Sequence, residues 1–249
     1  ALVPGLTLLV LLLMQGADWG WTSVASLAAL VGAVVFIVLF DRIELRRDDP
    51  LIDVGLFRNP AFAASTLILF ATQFAKISVV VFGAMYLQDD LNMSALIAGV
   101  AMLTAVALTP FAAPPAGKIS DKIGPRIPAI GGLGVGAICV AWIGVAANWD
   151  SYIWLVPAFI VFGASMPICY LPAMREVLNA APPEKQGQAS GVTMTARLLG
   201  GTMGIALSGG VLSATGSYQV AFLATAVAMA AIVTFAFFAI KPRETASST

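Results

Sequence analysis

Long apolar stretches alternate with short polar segments along the whole chain. Eight apolar stretches can be distinguished, and all but the first are long enough to cross a membrane. A bilayer core of about 30 Å needs roughly 20 residues at the helical rise of about 1.5 Å per residue. Continuous apolarity favours helices, because a membrane β-strand would alternate and be about half as long. The stretches are residues 2–17, 24–40, 61–87, 95–115, 127–147, 152–174, 189–212 and 218–240.

This pattern predicts an all-α membrane protein with about eight transmembrane helices. The longest polar segment, residues 41–60, is charged and contains two prolines. It separates the first two helices from the following six. The sequence therefore predicts two helices in residues 1–40, a linker at 41–60, six helices in 61–240 and a tail at 241–249.

Basic residues are concentrated in alternate connecting segments. Eleven of the thirteen Lys and Arg residues lie in four segments, and the intervening loops hold none. Cytoplasmic loops carry an excess of Lys and Arg, so the pattern predicts an integral protein of the plasma (inner) membrane with both ends of the chain in the cytoplasm. The four basic segments are residues 41–60, 117–126, 175–188 and 241–249.

Composition narrows the possible functions further. Hydrophobic residues make up 59% of the chain, charged residues 10%, and the net charge is zero, which gives no electrostatic basis for binding nucleic acid. Histidine is absent and no nucleophile–base pair is visible, so an enzyme is disfavoured. Cys139 and Cys169 lie apart in apolar stretches and are interpreted as buried hydrophobes, not metal ligands. The chain begins at Ala1 with no basic region before its first apolar stretch, so we expect a fragment, not a signal peptide.

Lys76 is the most informative single residue, because it lies near the middle of the stretch 61–87. Its side chain cannot reach water from about 16–20 Å inside the span, and an unpaired charge there costs at least ~2.5 kcal/mol. We therefore expect Lys76 to face protein or a watery cavity. Gln73 and Thr66 lie on the same helical face and complete a polar stripe, interpreted as lining a substrate pathway. The alternative is a structural lysine hydrogen-bonded within the bundle.

A second intramembrane cation, Arg197, lies two turns into the stretch 189–212. It either lines the same pathway or extends to the nearby cytoplasmic interface. Tyr170 lies between Pro167 and Pro172, whose freed helix carbonyls can form a gate or a site, and it is a candidate wall residue. All thirteen acidic residues are expected in loops or tails, so neither cation has an intramembrane carboxylate partner within the chain.

Small residues recur every four positions in the stretch 189–212, at Gly200, Gly204 and Ser208. This spacing lets helix backbones approach closely, and packing is the favoured interpretation. The glycine-rich run 131–136 lies inside another apolar stretch with no strand before it. It is therefore also assigned to packing and not to a nucleotide-binding loop.

The polar segment 117–126 reads Gly-Lys-Ile-Ser-Asp-Lys-Ile-Gly-Pro-Arg and separates two apolar stretches. Gly117 and Gly124 permit tight turns. Asp121 is placed to accept hydrogen bonds from the free amides of the helix that begins near Arg126. The segment is predicted to be a tight cytoplasmic loop whose cations face lipid headgroups or a neighbouring acid. The alternative is a well-built loop with no further role.

Gly117, Asp121, Lys122, Gly124 and Arg126 match the pattern Gly-x-x-x-Asp-Arg/Lys-x-Gly-x-Arg/Lys. This is the loop signature of the major facilitator superfamily, which the chain resembles. Further segments resemble parts of that superfamily's fourteen-helix drug:proton antiporter branch, including its linker and the loop between its two extra central helices. They are residues 15–21, 50–62, 183–191 and 195–201.

The resemblance implies the C-terminal part of such a transporter, with two central helices and the second six-helix half. Such a protein moves substrate by rocking two halves about a midplane site. The implied function is proton-coupled efflux of drugs or small amphiphilic metabolites, with a proton gradient and no cofactor or metal. The implied partners are the lipid bilayer, a small-molecule substrate and the missing N-terminal half. Lys76, Gln73 and Arg197 would line or support the pathway, and the loop around Asp121 would stabilise one state of the cytoplasmic gate.

The chain also departs from what the resemblance implies. The first half would hold that branch's usual membrane-embedded acids, and no acid replaces them here. Lys76 disfavours a lipophilic cation by like-charge repulsion, which favours an anionic or zwitterionic substrate. The alternative functions are transport of one specific small metabolite in either direction, or a non-transporting membrane scaffold or receptor.

Overall fold

The structure is a computed structural model that describes residues 4–5, 7–8, 11–12, 15, 19–20, 23–44 and 54–239. Within these residues every regular element is helical, which confirms the predicted all-α fold class. Short 3₁₀ turns join several of the helices. The α-helices are α1 (Val24–Glu44), α2 (Pro60–Asp89), α3 (Ala95–Met102), α4 (Thr109–Ile123), α5 (Arg126–Ala146), α6 (Val156–Ala180), α7 (Gln186–Thr215) and α8 (Tyr218–Ala239).

Six segments of the described chain are long and apolar enough to cross a membrane. They match one to one the six apolar stretches predicted after residue 60. Several are longer than predicted, because a helix continues into the polar residues beyond its apolar stretch. The six are Pro60–Asp89, Ala95–Ile123, Arg126–Trp149, Tyr152–Ala180, Pro183–Thr215 and Tyr218–Phe238.

The part of the chain before residue 60 is described less completely. The stretch 2–17 lies largely outside the described residues, as do most of the linker 41–60 and the tail 241–249. The second predicted helix is α1, which extends from Val24 to Glu44. The division into two central helices, a linker and a tail therefore stays a prediction.

The six crossings give the bundle two chemically different ends. One end carries Lys122, Arg126 and Arg175 and is called the basic end here. The opposite end carries Asp89, Asp90 and Asp150 and is called the acidic end.

The segment 117–126 is not a loop over most of its length. Helix α4 continues through Gly117 and ends at Ile123, and only two residues separate it from α5. The turn predicted at Gly117 is wrong, because α4 continues through this residue, and one glycine costs a helix interior only about 1 kcal/mol. The turn predicted at Gly124 is confirmed, since its φ of 81° lies in the left-handed region.

The segment 175–188 is also more helical than predicted. Helix α6 continues to Ala180 and α7 begins at Gln186. Glu176 therefore lies inside α6, as Asp121 lies inside α4. The expectation that every acidic residue lies in a loop or tail is wrong for these two residues.

Helix α2 packs against α6, α7 and α8. Its contact with α7 is made by backbone: a Cβ at Gly200 would lie 2.3 Å from the carbonyl oxygen of Phe70, and one at Gly204 would lie 2.4 Å from that of Phe74. The packing role predicted for these glycines is confirmed. Within the run 131–136, a Cβ at Gly132 would lie 2.8 Å from a backbone nitrogen of α6, so this run also packs against a helix.

Helices α3 and α4 form a single broken crossing. A 3₁₀ turn at Leu103–Ala105 follows α3, and regular helix resumes at Thr109. The break rests on α6, where a Cβ at Gly163 would lie 2.4 Å from the Ala105 carbonyl oxygen. The Thr109 hydroxyl donates to the Gly163 carbonyl at 3.1 Å. This carbonyl is free because Pro167, four residues later, has no N–H to donate.

Candidate functional site

Lys76 lies close to the middle of α2. At the helical rise it is roughly 24 Å from Pro60 and roughly 20 Å from Asp89. Its side chain is exposed, so no described helix covers it. Placing a lysine against lipid at this depth costs about 2.5–3.5 kcal/mol, so we expect the face of α2 that carries Lys76 to lie against protein or water and not against lipid.

The other two residues of the predicted stripe lie in different surroundings. Gln73, one turn from Lys76, is half-buried beside α7, and its Cγ lies 3.5 Å from where a Cβ would stand at Gly201. Thr66 is buried, and its hydroxyl has no hydrogen-bond partner within the described part of the chain. The structure therefore keeps Lys76 and Gln73 accessible and places Thr66 inside the bundle.

Arg197 and Tyr170 are brought together across the α6–α7 interface. The Arg197 guanidinium carbon lies 4.9 Å from the centre of the Tyr170 ring. One guanidinium nitrogen also donates to the Tyr170 hydroxyl at 3.4 Å, a long hydrogen bond. Both side chains are half-buried. The stacked arrangement holds the cation in a defined position, since the ring face carries negative electrostatic potential.

The position of this pair along the bundle follows from backbone contacts. Helices α2 and α7 run in the same direction, with Gly200 on Phe70 and Gly204 on Phe74. By that register Arg197 lies about nine residues, or roughly 13 Å, from Lys76 toward the basic end. The sulfur of Cys169, the residue before Tyr170, lies 3.3 Å from the Thr72 hydroxyl. Thr72 is one turn from Lys76 on α2, so the backbone of Tyr170 lies at nearly the same depth as Thr72.

The part of the bundle between its two ends is therefore cationic. Lys76 lies at mid-depth and Arg197 nearer the basic end, while every acidic residue of the six crossings lies toward one of the two ends. No ion pair in the described residues involves either cation. This arrangement can attract a negatively charged group and repel a positively charged one.

Asp121 and Arg175 form an ion pair at the basic end, with 2.6 Å between the carboxylate oxygen and the guanidinium nitrogen. A Cβ at Gly117, one turn earlier on α4, would stand 3.5 Å from another nitrogen of Arg175. The expectation that Asp121 accepts from amides of the next helix is wrong. Helix α4 directs it toward α6 instead, and α5 begins at Arg126, where the N-cap residue Pro125 makes no side-chain cap. Arg175 was missed in the sequence because residues 175–188 were assigned to a connection.

The remaining signature residues face elsewhere. Arg126 donates to the Phe237 carbonyl at 2.9 Å, and its guanidinium lies 5.7 Å from the centre of the Phe237 ring. Lys122 is exposed, and Gly124 forms the turn between Lys122 and Arg126. The signature therefore divides between two surfaces: Gly117 and Asp121 face Arg175, while Lys122 and Arg126 line a cleft on the other side of the turn.

The acidic end of the bundle is tied together by two tyrosines. The Tyr218 hydroxyl donates to the Asp89 carboxylate, and the Tyr86 hydroxyl donates to the Ala147 carbonyl at 2.9 Å. The pKa of Asp90 is raised above its ordinary value, first by burial and then by the nearby charges of Asp89 and Asp150. These contacts join α2 to α8 and to the turn after α5.

The described residues contain no group of three or more His, Cys, Asp or Glu that could hold a metal ion. Cys139 and Cys169 are free and buried, as predicted for small hydrophobes.

A family model for the Major Facilitator Superfamily matches residues 3–205. "Multidrug resistance protein Stp" of Mycobacterium tuberculosis is 28% identical over 210 residues, which cover 83% of this chain and 38% of that protein. "Quinolone resistance protein NorB" of Staphylococcus aureus is 29% identical over 218 residues, covering 84% and 47%. "Tetracenomycin C resistance and export protein" of Streptomyces glaucescens is 27% identical over 198 residues, covering 79% and 37%. The chain thus spans less than half the length of these relatives.

Proposed function

The chain belongs to the major facilitator superfamily, and on that premise we propose that it is the C-terminal half of a secondary transporter that exports drugs or small amphiphilic metabolites. The observation that carries the proposal is Lys76, an exposed cation halfway along a membrane helix. Intramembrane charges of this kind mark substrate and ion pathways more often than they serve packing.

A second helical bundle would complete the pathway. Two crossings, Ala95–Ile123 and Pro183–Thr215, are the least covered, with 22% of their most apolar stretch buried against 50–56% in the first, third and fourth crossings. Lys76 is expensive to place against lipid, so the surface that carries it is proposed to face the N-terminal half across a water-filled cavity. The small-molecule substrate would bind between the two halves.

We infer an orientation in the plasma membrane with the basic end in the cytoplasm. The Asp121–Arg175 pair then lies at the cytoplasmic gate. Both side chains are more than half exposed, at 68% and 52%, and such a pair contributes only about 0–1 kcal/mol. A pair this weak is suited to open and close as the two halves rock about the midplane site.

A proton gradient is the proposed energy source. The proton-carrying acid is proposed to lie in the N-terminal half. Lys76 and Arg197 would act on the substrate, not on the proton. Two cations within the membrane-spanning part of the bundle favour a substrate with a negatively charged group, either an anion or a zwitterion.

Transport by the complete transporter containing this chain, reconstituted in proteoliposomes with an imposed proton gradient, tests the proposal. Export of an anionic, a zwitterionic and a cationic fluorescent probe is compared for the unmodified protein, Lys76→Gln and Lys118→Gln. Lys118 is the matched control, because it is an exposed lysine at the basic end of α4. We expect Lys76→Gln to lower anion export about tenfold or more, since a lost bond to a charged group is worth ~1.5–3 kcal/mol. Unchanged anion export in Lys76→Gln would contradict the proposed role of the lysine, and absence of gradient-driven export of any probe would contradict the transporter.

A further inference from the structure

A cleft of about 780 Å³ opens between α2, α5 and α6 at the basic end of the bundle. The turn between α4 and α5 closes one side. On the opposite side, the Asn59 side-chain amide donates to the Ala180 carbonyl at 3.2 Å and ties α2 to α6. The volume lies within the range of small-molecule sites, about 300–1,000 Å³.

The lining of this cleft changes from polar to apolar with depth. Its rim includes Lys122, Arg126 and Glu176, all of which lie near the ends of the crossings. Its floor includes Ile68 and Ala173. Ile68 lies eight residues inside α2, about 12 Å from the rim at the helical rise. The cleft therefore begins at headgroup depth and ends on buried side chains, since Ile68 is 0% and Ala173 1% exposed.

The two cations of the rim are available to a ligand. Lys122 is exposed and makes no hydrogen bond or ion pair within the described residues. Arg126 is held by the Phe237 carbonyl and ring, which fixes its guanidinium without neutralising its charge. Arg175 differs, because Asp121 already pairs with it outside the cleft.

Glu176 lines the same cleft from α6, half-buried and outside any ion pair of the described chain. Two cations and one carboxylate leave the cleft with a net positive charge. A ligand with a net negative head and an apolar body therefore matches the lining, while a small free anion would leave the apolar floor unfilled.

We propose that this cleft binds an anionic phospholipid of the leaflet at the basic end, with the phosphate between Lys122 and Arg126 and one acyl chain against the exposed apolar side chains of Ile123 and Ile127. Basic pockets between membrane helices recognise lipid phosphates in this way, through charge-assisted hydrogen bonds. The loop signature then serves two purposes, because Gly117 and Asp121 face the gate partner Arg175 while Lys122 and Arg126 face the lipid.

Lipid retention by the whole chain, without any transport assay, tests this site. The chain is incorporated in phosphatidylcholine nanodiscs containing a small fraction of phosphatidylglycerol, and bound phosphatidylglycerol is counted by native mass spectrometry after release. Lys122→Gln should weaken retention about fivefold, the effect of one basic residue at a lipid surface. Lys118→Gln, on the same helix but outside the cleft, should leave retention unchanged.

Two further variants test the cleft itself. Glu176→Gln should strengthen retention of phosphatidylglycerol by removing a like charge, and Ala61→Phe should weaken it by partly filling the cleft without changing any charge. Inorganic phosphate at millimolar concentration should not displace the lipid. Equal losses in Lys122→Gln and Lys118→Gln, full retention in Ala61→Phe, or displacement by inorganic phosphate would each overturn the assignment. If phosphatidylethanolamine were retained as well as phosphatidylglycerol, and if Glu176→Gln lowered the retention of phosphatidylethanolamine, the preference for an anionic head would be overturned.

Discussion

The hydroxyl of Thr109 donates a hydrogen bond at 3.1 Å to the carbonyl oxygen of Gly163. This carbonyl would accept a helical hydrogen bond from residue 167 if that residue were not proline. The threonine at the start of α4 thus satisfies a carbonyl that the proline of α6 leaves free, and it does so beside the break in the α3–α4 crossing.

Thr109→Val keeps the size of the side chain and removes the donor. The free carbonyl then has no partner in an apolar region, and we expect a loss of about 0.6–1.7 kcal/mol in the free energy of unfolding. Denaturant unfolding in detergent micelles measures it. Thr202→Val is the control, because the Thr202 hydroxyl only bonds to a carbonyl of its own exposed helix face. Equal losses in both variants would show that the link to α6 adds nothing.

Gly200→Ala should destabilise the contact between α2 and α7. The added Cβ would stand 2.3 Å from the Phe70 carbonyl oxygen, so one backbone has to move. Overpacking of this kind costs about 1–3 kcal/mol. Gly210→Ala on the same helix meets nothing within 4 Å and should be neutral or slightly stabilising. Thermal unfolding in micelles compares the two, and a neutral Gly200→Ala would mean that the helices separate at little cost.

The Arg197–Tyr170 pair should depend on the ring more than on the hydroxyl. Tyr170→Phe keeps the ring and loses only a long hydrogen bond, whereas Tyr170→Leu also removes the cation–π contact, worth about 0.5–2 kcal/mol. We expect Tyr170→Leu to be the more destabilising variant in denaturant unfolding. If Tyr170→Phe were equally harmful, the hydroxyl would be the important partner of the guanidinium.

Asp90→Asn should stabilise the protein at neutral pH. The pKa of Asp90 is raised in the folded protein by burial and by Asp89 and Asp150, so the folded state binds this proton more tightly than the unfolded state. The corresponding stability is present below the ordinary carboxyl pKa of 3.8 and is lost as pH rises through the raised value. The advantage of Asp90→Asn over the unmodified protein should therefore shrink as pH falls toward 4. An advantage independent of pH would point to a cause other than the charge.

The Asp121–Arg175 pair should matter more for transport than for stability. A double-mutant cycle with Asp121→Asn and Arg175→Gln, read by thermal unfolding, should give a coupling of at most about 1 kcal/mol because both side chains are exposed. In the complete transporter either variant should slow export if the pair closes a gate. Normal export by both variants would remove the gating role.

The six crossings after residue 60 were predictable from continuous apolarity alone. Their ends were not, because charge marks the edge of the hydrocarbon core while a helix can continue beyond it. Arg175 and Glu176 were assigned to a connection for this reason, although both lie inside α6.

The surroundings of the candidate site were less predictable. Thr66 was assigned to the face of Lys76, but ten residues at about 100° per residue put the two side chains about 80° apart, and neighbouring helices bury Thr66 and leave Lys76 exposed. The contact between Arg197 and Tyr170 joins two helices whose register depends on the whole bundle. Local periodicity indicates which residues are polar in an apolar span, and tertiary packing decides which of them meet.

The break between α3 and α4 divides that crossing into two helical segments, each attached separately to the rest of the bundle. Helix α3 is held by the Tyr152 hydroxyl, which donates to the Ala101 carbonyl at 2.8 Å. Helix α4 is held by the hydrogen bond from Thr109 to the Gly163 carbonyl. Movement of the α4–α5 turn would therefore reach α6 at two levels, at Arg175 beside the turn and at Gly163 in the interior of the helix.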